Sequence, residues 1–274
     1  MNNNTFRIYK RAFELFLELS GKKLNKIIKM DPKELTKLID VTFEKSGINP
    51  RTKRCYTFGV RKLLHEEYGI ELNKTYITEK VSADIPKKTN KEIITRFEMQ
   101  KLKKHFEEKY NNSNERTKLN NLRDLILFNI LLFSGQRIGD ILKLKVKDAK
   151  SETIYFQQEK TGQEVTVRNP CLSQIVLYCE FRKLNNDDFL FCIGIDKKQM
   201  NYMTALSIIK ESGFRVINKK ISPHCFRAYV ITELVLAGKS NAEIQTVSGH
   251  ANSNMIDYYT TQKPQIDNLL ELII

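Results

Sequence analysis

Six side chains in the second half of this 274-residue chain have the types needed to cut a phosphodiester bond with a phenol. Arg137 follows the turn residues Ser134-Gly135-Gln136, Lys160 lies in Glu159-Lys160-Thr161-Gly162, and His224 and Arg227 stand three apart. Gly249-His250 and the pair Tyr258-Tyr259 come later. A phosphorus under attack becomes five-coordinate, and its non-bridging oxygens gain negative charge. Arginine suits that charge because its planar fork donates two parallel hydrogen bonds and stays ionised. Arg137 and Arg227 could hold one phosphate from two sides, with a histidine as a further donor. A tyrosine hydroxyl has an ordinary pKa near 10, so only about 0.1% is ionised at pH 7. It needs a proton acceptor or dense positive charge beside it. The departing 5′ oxygen needs a proton, which a lysine on a hairpin can supply. Adjacent helical residues point about 100° apart, so only one of Tyr258 and Tyr259 can face the phosphate.

Each member also has an ordinary reading. His-x-x-Arg puts two side chains on one face of many unrelated helices. An arginine after a turn is commonly a surface residue, a hairpin-tip lysine commonly meets solvent, and paired tyrosines commonly pack in a core. The weight rests on the ordered set.

Composition agrees with a polyanionic partner. Hydrophobic content of 41% and charged content of 28% are ordinary for a globular chain, but the formal net charge of +14 is not. Such an excess favours DNA or RNA, and its spread along the chain suggests a broad surface over a single basic tail. An anionic membrane surface competes, yet no strongly amphipathic basic helix supports it. The longest apolar stretch, residues 125–133, is broken by Asn129 and is too short to span a bilayer. No signal peptide is expected, because the first residues lead straight into an amphipathic helix. Five cysteines (Cys55, Cys171, Cys179, Cys192 and Cys225) without a Cys-x-x-Cys pair read as free thiols in a reducing cytoplasm. With four histidines and no metal-ligand spacing, neither a metal site nor a cofactor is expected.

The elements that must carry these residues are mainly helical. Apolar positions at Phe6, Phe13, Phe16 and Leu17 give residues 5–19 one buried stripe. Asp31-Pro32 and Asn49-Pro50 are helix starts, a capping side chain followed by proline in the first turn. The second of these helices should run to about Tyr68, with Gly69 ending it. It holds Arg51, Lys53, Arg54, Arg61 and Lys62, either as a solvated basic face or as a helix laid along DNA. Periodicity then disappears, and the stretch 80–91, with Ser82, Pro86 and four lysines, suits an exposed linker. Thr95-Arg96-Phe97-Glu98 is a capping box opening a helix through Phe106. Residues 119–133 read as a buried helix stopped by Gly135, and residues 137–142 begin another. Two strands around a glycine turn occupy 153–158 and 164–167. Further helices are expected from Asn169-Pro170, about Lys198, Pro223-His224, about Asn241, and Asn252.

The ordered set resembles the tyrosine recombinases, the family of phage-type integrases and Xer-type resolvases. That motif is an arginine after a glycine turn, a lysine in a β-hairpin, His-x-x-Arg, a later Gly-His, and a nucleophilic tyrosine. Arg137, Lys160, His224, Arg227 and His250 stand at the matching positions. The family's tyrosine typically lies nine residues past that histidine, which selects Tyr259 over Tyr258; Thr260 after it also agrees. Asp140, three residues after Arg137, matches an acidic residue that commonly supports the site. Gln136, Phe226 and Ala228 depart from the usual neighbours but remove no member of the set.

The resemblance implies a helical core-binding domain over residues 1–75, a linker over 76–93, and an α+β catalytic domain with a small antiparallel sheet over 94–264. It implies strand transfer through a 3′-phosphotyrosyl intermediate without ATP or metal. The expected partner is double-stranded DNA with paired core sites, bound by a homo-oligomer, a tetramer in this family, at the nucleoid in the cytoplasm. The apolar stretch 265–274 would dock in cis or on a neighbouring protomer. A type IB topoisomerase would share the chemistry without exchanging partners. A non-catalytic DNA-binding relative would have no use for the tyrosine.

Overall fold

The computed structural model describes residues 3–72 and 94–249. The chain divides into two compact units, Met1–Thr89 and Asn90–Ile274. All of the expected linker, together with His250, Tyr258, Tyr259, the helix expected from Asn252 and the stretch 265–274, lies outside the described residues.

The described residues of the first unit form four helices: α1 (Asn3–Ser20), the short α2 (Leu24–Ile27), α3 (Pro32–Glu44) and α4 (Pro50–Tyr68). Asp31 Oδ1 accepts from the N–H groups of Lys33 at 2.8 Å and Glu34 at 3.2 Å, so the carboxylate meets two of the donors that a helix start leaves open. Asn49 caps α4 in the same way through Arg51 N–H at 3.0 Å. α1 packs against both α3 and α4. Phe16, Leu35, Ile39, Phe43, Val60 and Leu64 are fully buried between them, with the Phe16 and Phe43 rings 6.1 Å apart.

The second unit begins at α5 (Arg96–Asn111), followed by α6 (Glu115–Ser134), the short α7 (Ile138–Leu142) and α8 (Val146–Ala149). The expected capping box forms: Thr95 Oγ1 accepts from Glu98 N–H, and the Glu98 carboxylate accepts from Thr95 N–H. α6 starts four residues earlier than its apolar pattern suggests, because Asn114 caps the Thr117 N–H and holds a charged first turn in helix. Next come the antiparallel strands β1 (Thr153–Gln157) and β2 (Glu164–Arg168), registered Thr153 opposite Arg168 and Gln157 opposite Glu164.

α9 (Leu172–Arg182) starts two residues beyond Pro170. At Lys198 the expectation of a helix is wrong. Lys198–Gln199 is the strand β4, paired with β3 (Cys192–Ile193). The helix α10 (Tyr202–Ile217) follows only where Asn201 can cap Thr204 N–H at 2.9 Å. α11 (Pro223–Leu236) and α12 (Asn241–Ser248) complete the described elements. α5, α9 and α11 all pack on α6, which is why eleven of its residues are buried, charged and apolar alike. The Phe128 ring of α6 stacks on Phe106 at 4.6 Å and meets Phe226 of α11 edge-on at 5.5 Å.

Candidate functional site

Phe226 aims the His-x-x-Arg helix. It is fully buried against Phe128, so the turn of α11 on either side of it is fixed to the core. His224 is thereby exposed, whereas Arg227 is turned inward and only 3% exposed. A buried guanidinium needs acceptors. Arg227 Nη1 donates to the carbonyl of Gly135 at 2.9 Å.

Gly135 is the turn that ends α6. Its φ of 59° is left-handed, and an added Cβ would meet Val230 of α11 at 3.0 Å, so only glycine fits without displacing that side chain. The turn delivers Arg137 to the position before α7. One arginine of the set thus holds the turn that presents the other.

Arg137 Nη1 donates to Gln158 Oε1 at 2.8 Å and lies 3.9 Å from the carboxylate of Asp140. Asp140 is buried, and its other oxygen accepts from the N–H of Glu159 at 3.1 Å. The acid therefore joins the arginine turn to the lysine turn. Lys160 itself is exposed in the reversal between β1 and β2. The backbone closes that reversal through Gly162 N–H to Gln158 O and Gln158 N–H to Gln163 O, both at 2.9 Å.

Gln158 carries no signal of its own in the motif, and sequence reasoning passed over it. It is fully buried. The clue was strand alternation: Ile154, Phe156 and Gln158 share one face, and the first two are core residues. A polar group on an apolar face must find partners. Its Oε1 also accepts from Thr161 Oγ1 at 2.8 Å, and its Nε2 donates to Gln136 Oε1 and to Ser248 O at 3.1 Å. Gln136, noticed only as a departure from the usual apolar residue, is buried too and donates to Val247 O at 2.7 Å.

These bonds bring the end of α12 to the same place, and Gly249 closes it with a φ of 64°. The start of α12 is set by a capping box between Ser240 and Glu243. Backbone and side-chain hydrogen bonds there hold the Glu243 carboxyl down to about 2.

Arg137, Asp140, Lys160 and Arg227 are thus connected within one unit, and His224 stands one turn before Arg227 on the same helix. The thiols compete poorly as nucleophiles. Burial pushes Cys171 up to about 12 and Cys179 up to about 11, so both stay protonated at neutral pH. Among the described residues no three His, Cys, Asp or Glu side chains converge as a metal site would require.

The basic residues of α4 differ in their surroundings. Lys53 donates to Glu44 O at 2.8 Å, Arg61 to Leu72 O at 2.7 Å, and Lys62 pairs with Glu66 at 3.1 Å. Arg51 and Arg54 are exposed near the start of the helix. Desolvation lowers the Arg61 pKa, and its bond to Leu72 O ties α4 to the chain that follows it.

Residues 92–265 match the model of the phage integrase family. The tyrosine recombinase XerA of Pyrococcus furiosus is 25% identical over 259 residues, covering 90% of this chain and 87% of that protein. The tyrosine recombinase XerS of Streptococcus pyogenes serotype M5 is 27% identical over 184 residues. That match takes in 61% of this chain and spans about half, 51%, of XerS. In fold, the chain is similar to the XerH site-specific recombinase bound to a palindromic difH substrate after cleavage. The TM-score is 0.69 at 19% identity, covering 97% of this chain and 79% of that one. A lambda integrase dimer bound to a COC′ core site gives 0.63 at 13% identity, covering 97% and 73%. No described helix is long and apolar enough to cross a membrane.

Proposed function

The chain belongs to the phage integrase family, and from that membership we propose that it is a site-specific DNA recombinase acting through a tyrosine nucleophile. The observation that carries this reading is the bonded chain from Arg227 through the Gly135 turn to Arg137, and on through Gln158 to the Lys160 reversal. Two guanidinium groups and an ammonium are set on three elements that share a hydrogen-bonded frame. Such an arrangement suits a phosphodiester that must gain charge during reaction.

In the proposed reaction the Tyr259 oxygen attacks the scissile phosphorus, and a histidine of the set (His224 or His250) takes up the phenolic proton. Arg137 and Arg227 hold the non-bridging oxygens, with Asp140 keeping Arg137 in place. The bond from phosphorus to the 5′ oxygen breaks, and Lys160 protonates that oxygen. The products are a 3′-phosphotyrosyl protein and a 5′-hydroxyl. Attack by a 5′-hydroxyl from another strand reverses the step and releases the tyrosine. One ester replaces another, so the exchange consumes no ATP.

The assigned partner is duplex DNA carrying paired core sites, as the DNA-bound XerH and lambda integrase structures suggest by analogy. The helical unit, residues 1–75 in the proposed division, would bind the core site through Arg51, Lys53, Arg54, Arg61 and Lys62. Residues 76–93 would link it to a catalytic domain over 94–264. Residues 265–274 would dock in cis or on a neighbouring protomer of a tetramer.

The test uses a library of nicked duplexes with randomised sequence, incubated with the full chain and quenched in detergent. Recovery of covalent adducts sharing a common sequence supports strand cleavage. Exchange of strands between two such duplexes supports recombination, whereas relaxation of plasmid supercoils without exchange points to a topoisomerase. Tight binding with no adduct at any sequence contradicts the reading.

A further inference from the structure

The geometry points to Gln158 as a positioning residue, one that sets Arg137 and the corner leading to His250 as a single unit and acts only through them. The inference rests on the recombinase reading for its consequence, but not for its geometry. Arg137 has donors only, and the Ser248 carbonyl can only accept. A group placed between them must accept on one side and donate on the other. A primary amide does this; a carboxylate or an alkyl group does not.

The amide orientation is fixed by its four partners. Oε1 faces the two donors Arg137 Nη1 and Thr161 Oγ1, both at 2.8 Å. Nε2 faces the two acceptors Gln136 Oε1 and Ser248 O. Rotating the amide by half a turn would set donor against donor and acceptor against acceptor. Gln136 extends the relay, donating through its own Nε2 to Val247 O at 2.7 Å and to Ser134 O at 3.3 Å.

Two further observations make the relay more than core packing. The Gln158 backbone closes the Lys160 reversal on both sides, so the residue that holds Arg137 also anchors the lysine turn. Gly249 lies so close that any Cβ there would coincide with the Gln158 amide. The glycine before His250 is therefore fitted to this side chain. Displacing Gln158 would move the arginine, the lysine turn and the end of α12 together.

Two variants of the full chain separate positioning from mere packing. Q158M keeps the shape and loses every side-chain hydrogen bond. Q158E keeps the acceptor toward Arg137 but turns an oxygen against Ser248 O and Gln136 Oε1. Hydrogen exchange is expected to show lost protection over residues 245–249 in both, whatever the activity. Adducts are then timed in single turnover on a duplex recovered from the nicked library. On that duplex, Q158M should cleave about 10–100-fold slower than wild type at unchanged DNA affinity, the size of effect a misplaced group produces. Q158E, with Arg137 still held, should lose less.

The same duplex with a methylphosphonate at the scissile position has one non-bridging oxygen replaced by methyl, so it asks less of a guanidinium. There the Q158M deficit should shrink to less than about 3-fold. Equal deficits on both linkages, wild-type rates in Q158M, or unchanged exchange at the end of α12 would each overturn the inference. A wild-type chain that forms no adduct anywhere counts against the recombinase reading, and the exchange data still decide the positioning claim.

Discussion

Replacing Gly249 with alanine puts the strongest strain on the frame of the site, and the cost can be worked from the structure. The first part is conformational: a φ of 64° is left-handed, which costs an L-residue about 1–2 kcal/mol. The second part is steric, since the new methyl would occupy the place of the Gln158 amide. To clear it, Gln158 must leave its four hydrogen-bond partners. Losing two or three of them without replacement costs about 2–3 kcal/mol at roughly 1 kcal/mol each. The total of about 3–5 kcal/mol corresponds to a fall in Tm of about 6–20 °C for a unit of this size. Gly162 provides the control. Its φ of 69° is as left-handed, but a Cβ there meets nothing within 4 Å. Gly162→Ala should therefore show the conformational part alone, about 2–8 °C. Thermal unfolding followed by circular dichroism measures both. Adding Gln158→Ala to Gly249→Ala removes the obstructing amide, so the double variant should be less destabilised than the sum of the singles. Equal melting of the two glycine variants, or strict additivity in the double, would refute the reasoning.

Other substitutions test the remaining parts. Lys160→Ala should leave stability within about 0.5 kcal/mol, because the side chain is exposed, yet slow adduct formation strongly. A substrate with sulfur in place of the bridging 5′ oxygen, which leaves without a proton, should restore its rate; persistent slowness there would place the lysine elsewhere in the reaction. Phe226→Ala opens a cavity beside Phe128 and should cost about 3–5 kcal/mol while also lowering adduct yield, since the ring aims Arg227. Chemical denaturation gives the first quantity, and a stability loss without any loss of cleavage would separate the core from the site. Burial pushes the Glu98 carboxyl up, but hydrogen bonds from Lys219 and Thr95 outweigh it and leave the group below its ordinary range. A depressed carboxyl contributes stability above the ordinary range and loses it as pH falls through the lower folded-state value. Unfolding free energy of the wild type should therefore fall more steeply than that of Glu98→Gln between pH 6 and pH 3, and parallel curves would contradict the assignment.

Much of the helical frame was legible because its signals are local. Asp31-Pro32, Asn49-Pro50 and Thr95 with Glu98 each meet open backbone donors with a side chain close by in sequence, so their chemistry can be read without knowing the fold. Other parts depended on distant residues. Lys198 carries no helix-stopping residue, and its strand exists only because Ile193 and Cys192 run alongside. The four-residue α8 is too short to show a period, whereas the five-residue α7 was read from Ile138, Ile141 and Leu142 on one side. The candidate site followed the same division. Arg137, Lys160, His224 and Arg227 were visible by type and order, since phosphate chemistry restricts which side chains serve. Gln158 and Gln136 were not, because an amide's value here lies in partners 22, 90 and 111 residues away.

The account rests finally on which atom attacks DNA. The direct measurement is to trap the adduct on a nicked duplex, digest the protein, and locate the nucleotide-bearing residue by mass spectrometry, with Tyr259→Phe and Tyr258→Phe run in parallel. The account predicts the nucleotide on Tyr259, no adduct in Tyr259→Phe, and a normal adduct in Tyr258→Phe. A label on Tyr258 or any other side chain, or an adduct that survives in Tyr259→Phe, would contradict it.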